Sequence, residues 1–539
     1  MKSCNNCHQD FEIYPEDLEF YNRFKVPEPT WCPECRLIRR MTFRNERTLY
    51  KRPCDLCHAD KIFMYPADAP FPVYCWQCWW GDSWDAKAYA RDYDFSKPFF
   101  EQFLALRDAV PRAGSVKQGN IVDSEYTNRV TDPRNCYLAF SSTRLENCRY
   151  GVWYNDTKDS MDCYSAVKSE RCYECIDVYQ CYNLAFSQES YTCRNSAFLY
   201  NCRDCESCFG CVNLRNKSYC IFNEQFSKED YQKKIASYDL RNDVVLEGVM
   251  SKFENLKKQH IVPALVTRQS TNVTGNWIES SKNIWRSFEC ANIEDGRYCF
   301  NIFSGKDLMD FGPWSNNSER IYECINLGLQ CGDVKFANEC WIQLRDSEYC
   351  MNCHSSHNLF GCDGLRKAEY CILNKQYSKE EYETLVEKIK AQMKAAGEYG
   401  EFFPMSVSPH AYNETIAQEF FPLTKEQALA KGYRWRDPET KEYKIGGDII
   451  ACEHAGKCTQ SCTTAFRITS EDKQFYEQFA LLVPKLCPNC RHFERLAKRN
   501  PLKLWARQCA KCSKAIETSY SPDRPETVYC IDCYQSEIV

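Results

Sequence analysis

Closely spaced cysteine pairs are the residues of this chain whose type and spacing point most directly to chemistry. C-x-x-C pairs, and one C-x-x-x-C pair at Cys458 and Cys462, occur near both ends of the 539 residues. Two such pairs supply four thiolates, the ligand set of a structural zinc ion, in consecutive or cross-braced pairing. We therefore expect Zn²⁺ as cofactor, about four ions per chain. The predicted ligands are Cys4, Cys7, Cys32, Cys35, Cys54, Cys57, Cys75, Cys78, Cys458, Cys462, Cys487, Cys490, Cys509, Cys512, Cys530 and Cys533.

The sequence gives less support to other roles for its paired cysteines. The triplet Cys54, Cys57 and His58 fits the C-x-x-C-H motif of c-type haem attachment, but its cysteines already belong to a zinc ligand set. A four-thiolate site has no open position for water, so it holds structure rather than catalyses. A similar C-x-x-C-H motif in the middle of the chain could bind one further metal, or could be part of the central repeat. Its residues are Cys350, Cys353, His354 and His357.

The two ends of the chain are copies of one another. A constant offset maps Cys7 to Cys78 onto Cys462 to Cys533, while Cys4 falls one residue away from Cys458. Residues between the cysteines match as well, as in the C-P-x-C-R motif. We therefore expect a tandem zinc-ribbon domain of one fold at each end.

The centre of the chain holds a second duplication. Residues 209–231 match residues 360–382, so the central region consists of two units of about 150 residues. Within each unit, cysteines recur among alternating apolar and polar residues. The commonest step is nine residues, as from Cys163 to Cys172, and longer steps occur from Cys136 to Cys148 and from Cys148 to Cys163.

This pattern predicts a β-solenoid with coils of roughly 18–20 residues and cysteines packed inside as small apolar side chains. Ser227 and Ser378 each read as the N-cap of a helix that closes a unit.

The predicted fold class is mainly β: two tandem β-solenoid-like units with capping helices, flanked by a zinc-ribbon pair at each end. The expected domains are residues 1–110 (zinc ribbons), 111–260 and 261–400 (solenoid units), 401–450 (an aromatic connecting strap) and 451–539 (zinc ribbons).

Arginine-rich stretches lie between the two cysteine sets at each end. Basic residues spaced three or four apart fall on one face of a helix, and such a face beside zinc ribbons is typical of phosphate-contacting surfaces. The alternative is a solvated face, or one paired with acidic parts of the solenoid. The predicted nucleic-acid-binding residues are Arg36, Arg39, Arg40, Arg44, Arg47, Lys51, Arg491, Arg495, Lys498, Arg499, Lys503 and Arg507.

The sequence shows no signature of an enzyme. It has no phosphate-binding glycine loop, no nucleophile elbow and no H-E-x-x-H motif. Acids such as Asp159 could serve a carbohydrate-active solenoid, but they resemble turn residues. The motif K-D-x-M-D occurs once in each central unit, ending at Asp162 and Asp310, and such recurrence favours a structural role.

Composition restricts cellular location and partners. The formal charge of −5 excludes a globally basic nucleic-acid binder, though not a local basic patch. The first residues lack the apolar stretch of a signal peptide, and no apolar run is long enough to span a membrane. We therefore expect a cytoplasmic protein in which cysteines bind metal or pack as thiols rather than form disulfides.

Four sequence segments resemble a group of uncharacterised cysteine-rich zinc-ribbon proteins. The segments are C-P-E-C-R, F-R-N-E-R-T-L-Y-K-R-P-C-D-L-C, Y-C-W-Q-C-W-W and F-G-C-V-N-L-R-N-K-S-Y-C-I-F-N. The resemblance extends over nearly the whole chain. It implies zinc ribbons around a repetitive, β-solenoid-like body, and no activity is established for the group.

Together these patterns predict a non-enzymatic zinc-binding scaffold that binds RNA or a ribonucleoprotein through its basic zinc-ribbon pairs. Three alternatives remain open: a protein-only assembly scaffold, which includes self-association; soft-metal storage or sensing; and a carbohydrate-active enzyme. The sequence identifies no small-molecule substrate.

Overall fold

The computed structural model describes residues 1–438 and 443–538, so residues 439–442 of the expected strap and residue 539 lie outside the described part. The described chain forms two compact units that do not follow its linear order. One unit combines residues 1–115 with residues 265–436, and the other combines residues 116–264 with the described residues from 437 onward. Each terminal module thus shares a unit with the solenoid that is more distant in sequence.

The body of each unit is a parallel β-solenoid, as predicted, but its coils are shorter. Tyr164 pairs with Ile176 and Tyr182 with Arg194, so one coil of the first solenoid contains twelve residues. From Asn135 to Phe222 nearly every third residue has a positive φ. Four such turns therefore close each coil, and the longer coil expected from the sequence is wrong.

The three-residue step determines which side chains point into the coil. One residue in three points into the coil, and every cysteine step in this solenoid is a multiple of three, so each cysteine returns to an inner position. Buried thiols and hydroxyls there are satisfied by the backbone. The Cys148 Sγ contacts the carbonyl oxygens of Glu146 at 3.4 Å and Thr157 at 3.3 Å. The Ser160 hydroxyl accepts from the Cys172 N–H at 3.0 Å.

Although hydrogen bonds with neighbouring thiols lower the pKa of Cys205 and Cys211, burial favours the thiol form of most inner cysteines. It raises the pKa of Cys148 and of Cys163 well above the ordinary value for a thiol, because a thiolate would lose its hydration. The twelve cysteines of the first solenoid are all buried and free of disulfides. They therefore pack as small apolar residues, as the sequence analysis expected.

The second solenoid is less regular. Its register shifts by eleven residues between Thr271 and Lys282, but by thirteen between Gly305 and Ser318. The longer coils coincide with wider intervals between positive-φ residues, for example from Asp310 to Trp314. A helix follows each solenoid, and the predicted N-caps Ser227 and Ser378 are confirmed.

The strands of the first solenoid and its closing hairpin are Lys117–Gln118, Asn128–Arg134, Phe140–Glu146, Asn155–Lys158, Tyr164–Val167, Glu170–Tyr173, Ile176–Tyr179, Tyr182–Ala185, Arg194–Ala197, Cys220–Ile221 and Glu224–Gln225. Those of the second are Thr267–Arg268, Thr271–Glu279, Lys282–Arg297, Phe300–Met309, Ser318–Tyr322, Gly332–Lys335, Leu344–Glu348, Ser356–Phe360, Glu369–Ile372 and Lys375–Gln376. The helices after the solenoids are Lys228–Ile235, Asp243–Gln259 and Lys379–Ala395.

The terminal modules are small hairpins and helices. The N-terminal module (residues 1–115) has strands Lys2–Ser3, Asp10–Phe11, Tyr50–Pro53, Asp60–Phe63, Val73–Tyr74 and Arg112–Ala113, and helices Pro15–Phe24, Pro33–Met41, Trp76–Trp80, Ala86–Tyr89 (3-10) and Phe99–Ala109. The C-terminal module (residues 449–538) has strands Ile449–Ala451, Ala465–Arg467, Trp505–Gln508, Ala515–Thr518 and Val528–Tyr529, and helices Ser470–Gln478, Pro488–Ala497 and Ile531–Ile538. Val262–Pro263 pairs with the last of these strands.

The expected strap contains short helices. These are Met405–Val407 and Tyr412–Glu414 (both 3-10), Ile416–Phe420 and Lys425–Ala430. Its Phe402 and Phe403 are buried beside Phe43 of the N-terminal module. The described part of the strap up to residue 436 is therefore packed within the first unit.

Substitutions of Cys202, which is fully buried, test whether the inner cysteines pack or bind metal. Cys202→Ser should cost about 1 kcal/mol, because a hydroxyl can bond the same carbonyls of Tyr200 and Cys211. Cys202→Glu should abolish folding, because it buries an unpaired carboxylate. Urea unfolding with metal analysis measures both effects. Loss of metal from the folded serine variant would contradict packing and support soft-metal storage.

Candidate metal centres

Four groups of four cysteines, two in each terminal module, have the geometry of a metal centre. Within each group the sulfur atoms lie within 4.8 Å of one another. The Sγ atoms of Cys7 and Cys32 are 3.9 Å apart, as are those of Cys57 and Cys75 and those of Cys512 and Cys530. Four sulfurs at the usual zinc distance would be about 3.8 Å apart in a tetrahedron. The groups are Cys4, Cys7, Cys32 and Cys35; Cys54, Cys57, Cys75 and Cys78; Cys452, Cys462, Cys487 and Cys490; and Cys509, Cys512, Cys530 and Cys533.

Each group is built in the same way from a hairpin and a helix start. In the first, a turn between two short strands carries Cys4 and Cys7, and Cys32 is the N-cap of helix Pro33–Met41. The backbone N–H of Cys32 donates to the Cys4 Sγ at 3.2 Å. The same bond, also of 3.2 Å, recurs in the other three groups. It joins Cys75 to Cys54, Cys487 to Cys452 and Cys530 to Cys509.

Hydrogen bonds from neighbouring groups favour the thiolate form, which a metal requires, at Cys32 and Cys57. A hydrogen bond with the Cys35 thiol is the largest influence on Cys32, whose pKa is lowered to about 5. A backbone hydrogen bond at Ala59 is the main reason that the pKa of Cys57 is lowered to about 7. Thiolates in a tetrahedral set suit Zn²⁺ by charge, softness and geometry. The residues therefore fit the expected ion, with consecutive rather than cross-braced pairing.

The structure places Cys452, and not the predicted Cys458, in the third four-cysteine group. Strand Ile449–Ala451 pairs with Ala465–Arg467, just as Lys2–Ser3 pairs with Asp10–Phe11. This register makes Cys452 the counterpart of Cys4. The ungapped match between the two ends of the chain predicts Cys458 because it does not allow for an insertion: nine residues separate Cys452 from Cys462, but two separate Cys4 from Cys7. The insertion left the hairpin and its hydrogen bond unchanged.

The sequence suggested a further metal at the central C-x-x-C-H motif, but the residues of this motif have structural roles instead. Cys350 and Cys353 are inner residues of the second solenoid, and each sulfur contacts backbone carbonyls. His354 is buried, which lowers its pKa to about 3. Its ring stacks on Trp341 with centroids 4.9 Å apart. His357 is half exposed and lies 3.3 Å from the Glu369 carboxylate.

The arginines predicted to contact phosphate in the N-terminal module are buried against the second solenoid. The helix ends at Met41, so the expected basic face does not extend to Lys51. Arg36 contacts the Asp310 carboxylate at 2.7 Å, and Arg39 contacts that of Glu323 at 3.0 Å. Arg39 also contacts Glu401 of the strap. Arg40 lies 3.4 Å from Asp310 and 3.6 Å from Glu323.

The C-terminal module repeats this arrangement on the first solenoid. Its helix ends at Ala497. Arg495 contacts Asp162 at 3.2 Å and Glu174 at 2.7 Å. These two acids are one coil apart. Residues four apart on a helix are about 6 Å apart along its axis, and neighbouring coils are about 4.8 Å apart. Successive arginines can therefore reach successive coils.

We call the two sets of opposed charges arginine–carboxylate clusters. The first consists of Arg36, Arg39, Arg40, Asp310 and Glu323, and the second of Arg491, Arg495, Arg499, Asp162, Glu174 and Asp177.

The prediction of two phosphate-contacting arginine faces is therefore wrong for the buried arginines. They oppose carboxylates of the solenoids, the alternative that the sequence left open. Asp162 and Asp310, which end the same motif in the two central units, are acidic partners of these arginines. Their recurrence in both units could have indicated this role. Arg36, Arg39, Arg40, Arg44, Arg491, Arg495 and Arg499 are buried; Arg47 and Arg507 are half-buried; Lys51, Lys498 and Lys503 are exposed.

Comparison with known proteins gives no family for this chain: no family model, no curated protein and no solved structure matches it. The resemblance to the cysteine-rich zinc-ribbon group stays a prediction. Among the residues described here, no helix has the length and apolar character needed to cross a membrane.

Arg40→Met tests the contribution of the first arginine–carboxylate cluster. The substitution leaves Asp310 and Glu323 buried with one fewer cation, so the free energy of unfolding should fall by about 3–5 kcal/mol. Lys306→Met is the control, because it removes an exposed ion pair with Glu294 and should cost less than about 1 kcal/mol. Urea denaturation measures both. Equal losses would contradict the assigned importance of the cluster.

Proposed function

We propose that this protein is a non-enzymatic, metal-stabilised scaffold that offers its solenoid surfaces to a protein partner. The observation that carries the proposal is the duplicated arginine–carboxylate cluster. In each unit it fixes a cysteine module to a solenoid through buried ion pairs. The modules therefore serve as structural parts of each unit rather than as mobile arms that grip a ligand.

Metal binding and docking of the module are coupled through one helix in each unit. Cys32 and Cys35 lie at the start of the helix that carries Arg36 and Arg40. The C-terminal helix combines Cys487 and Cys490 with its arginines in the same way. A metal ion at the helix start would fix the direction in which the arginines point. Such coupling of metal binding to folding is the usual role of a closed four-thiolate site.

The outer faces of the solenoids carry regular polar rows. At intervals of one coil, Asn147 donates to Asp159 at 2.7 Å, and Lys158 contacts Glu146 at 3.0 Å. Such rows present both charges and amides at a fixed spacing, which favours a protein surface of complementary pattern. A nucleic acid would require an excess of exposed cations.

RNA or a ribonucleoprotein remains the competing partner. Because seven of the nine predicted arginines are buried, this possibility rests on the half-buried Arg47 and Arg507 and on the exposed Lys51, Lys498 and Lys503. Storage of soft metals is less favoured, because burial raises the pKa of inner cysteines such as Cys148 and Cys163 and so favours their thiol form. A carbohydrate-active enzyme is the third alternative.

Two measurements on the zinc-loaded full chain separate protein from RNA partners. Proteins crosslinked to the scaffold in cell extract should remain after nuclease treatment. Affinity for labelled RNA should be weak and equal for wild type and a Lys498→Glu/Lys503→Glu variant across a salt series. Lys282→Glu/Lys306→Glu, on the other unit, is the charge-matched control.

Two results would overturn the proposal in favour of RNA. One is loss of the crosslinked proteins with nuclease. The other is an RNA affinity that falls steeply with salt and that only the Lys498→Glu/Lys503→Glu variant loses.

A further inference from the structure

The two terminal modules differ in the length of the loop between Cys452 and Cys462. Its N-terminal counterpart contains two residues, whereas this loop contains nine, including His454 and Cys458. The four cysteines of the adjacent group are complete without either residue. The insertion therefore adds two metal-binding side chains beside a site that already has four ligands.

The added side chains converge on one of those ligands. The Cys458 Sγ lies 3.7 Å from the Cys490 Sγ, close to the sulfur separations within the four-cysteine groups. One ring nitrogen of His454, the Cys458 Sγ and the Cys490 Sγ all lie within 4.8 Å of one another. The Nδ1 atom of His454 is shielded from solvent and has no hydrogen-bond partner in the described part of the chain. His454 thus has a ring nitrogen close to two sulfurs and a shielded Nδ1 without a hydrogen-bond partner among the described residues, and both observations indicate a ligand.

Cys490 is placed to belong to two sites. Its Sγ is 3.5 Å from that of Cys487 and 3.9 Å from that of Cys452, on the side of the four-cysteine group. A thiolate has more than one lone pair and can bridge two divalent ions. A second cation beside the first would also offset the negative charge that a fifth thiolate adds to the cluster.

We propose that the C-terminal module binds a second Zn²⁺ ion through His454, Cys458 and Cys490, with the Cys490 thiolate shared between the two ions. This ion has three protein ligands, so a water molecule or an exogenous thiol, imidazole or carboxylate completes its coordination. His454 and Cys458 are half-buried, so such a donor can reach the ion. The second site thus differs in kind from the four closed ones.

Metal counting on the full-length, zinc-saturated protein tests this assignment. Wild type should hold five ions per chain, one for each of the four closed groups and one for the added site. Cys458→Ser and His454→Ala should each lose one ion. Cys490→Ser should lose two, whereas the matched Cys35→Ser at the other end should lose one, because only Cys490 is shared.

A loop replacement separates the second ion from general damage to the module. Exchanging residues 453–461 for Asn5-Asn6 of the N-terminal hairpin should leave four ions, with circular dichroism and urea stability unchanged. Native mass spectrometry and elemental analysis supply the counts. Four ions in wild type, or five in Cys458→Ser or in the shortened-loop variant, would overturn the proposal. None of these results bears on the scaffold function, which depends on the closed sites and the partner.

Discussion

The structure depends on one backbone constraint, a left-handed residue at nearly every third position of the solenoids. For residues other than glycine this conformation costs on the order of 1 kcal/mol each. Hydrogen bonds between coils and burial of the inner side chains offset the cost. Because the step is three residues, only one position in three faces inward, and the narrow interior favours cysteine, serine, alanine and short aliphatic residues. Packing of small side chains in this interior is sufficient to account for the high cysteine content of the centre.

The same coil length places the acids that hold the terminal modules. Asp162 and Glu174 are separated by one coil, so they lie one above the other. The helix runs in the direction in which the coils stack, and its arginines recur at nearly the same spacing as the coils. Arg495 can therefore contact both acids. Cysteines at the start of that helix connect the candidate metal site to the ion pairs. In each unit, the cysteine group, the orientation of the helix and the docking of the module are therefore structurally linked.

Part of this arrangement was accessible from sequence, and the errors have physical causes. The solenoid was recognised from its repeating cysteines, but its coil length was overestimated because steps such as Cys163 to Cys172 reveal only a common divisor of three. Cys452 was missed because an ungapped comparison cannot detect a loop insertion inside a hairpin whose register is preserved. The arginine faces were detected correctly as a pattern, but they were assigned to the wrong partner.

The sequence by itself determined the thiol chemistry, the two duplications and the repetitive body, because these are local or periodic properties of the chain. The tertiary structure decided which surface the arginines face and which solenoid each module joins. A row of arginines has the same periodicity whether it contacts phosphate, water or carboxylates. Arg40 and Asp310 are 270 residues apart, and no local pattern specifies their pairing. Folding places Asp310 beside a helix from a distant part of the chain. The arginines of that helix are therefore buried in ion pairs instead of forming a basic surface.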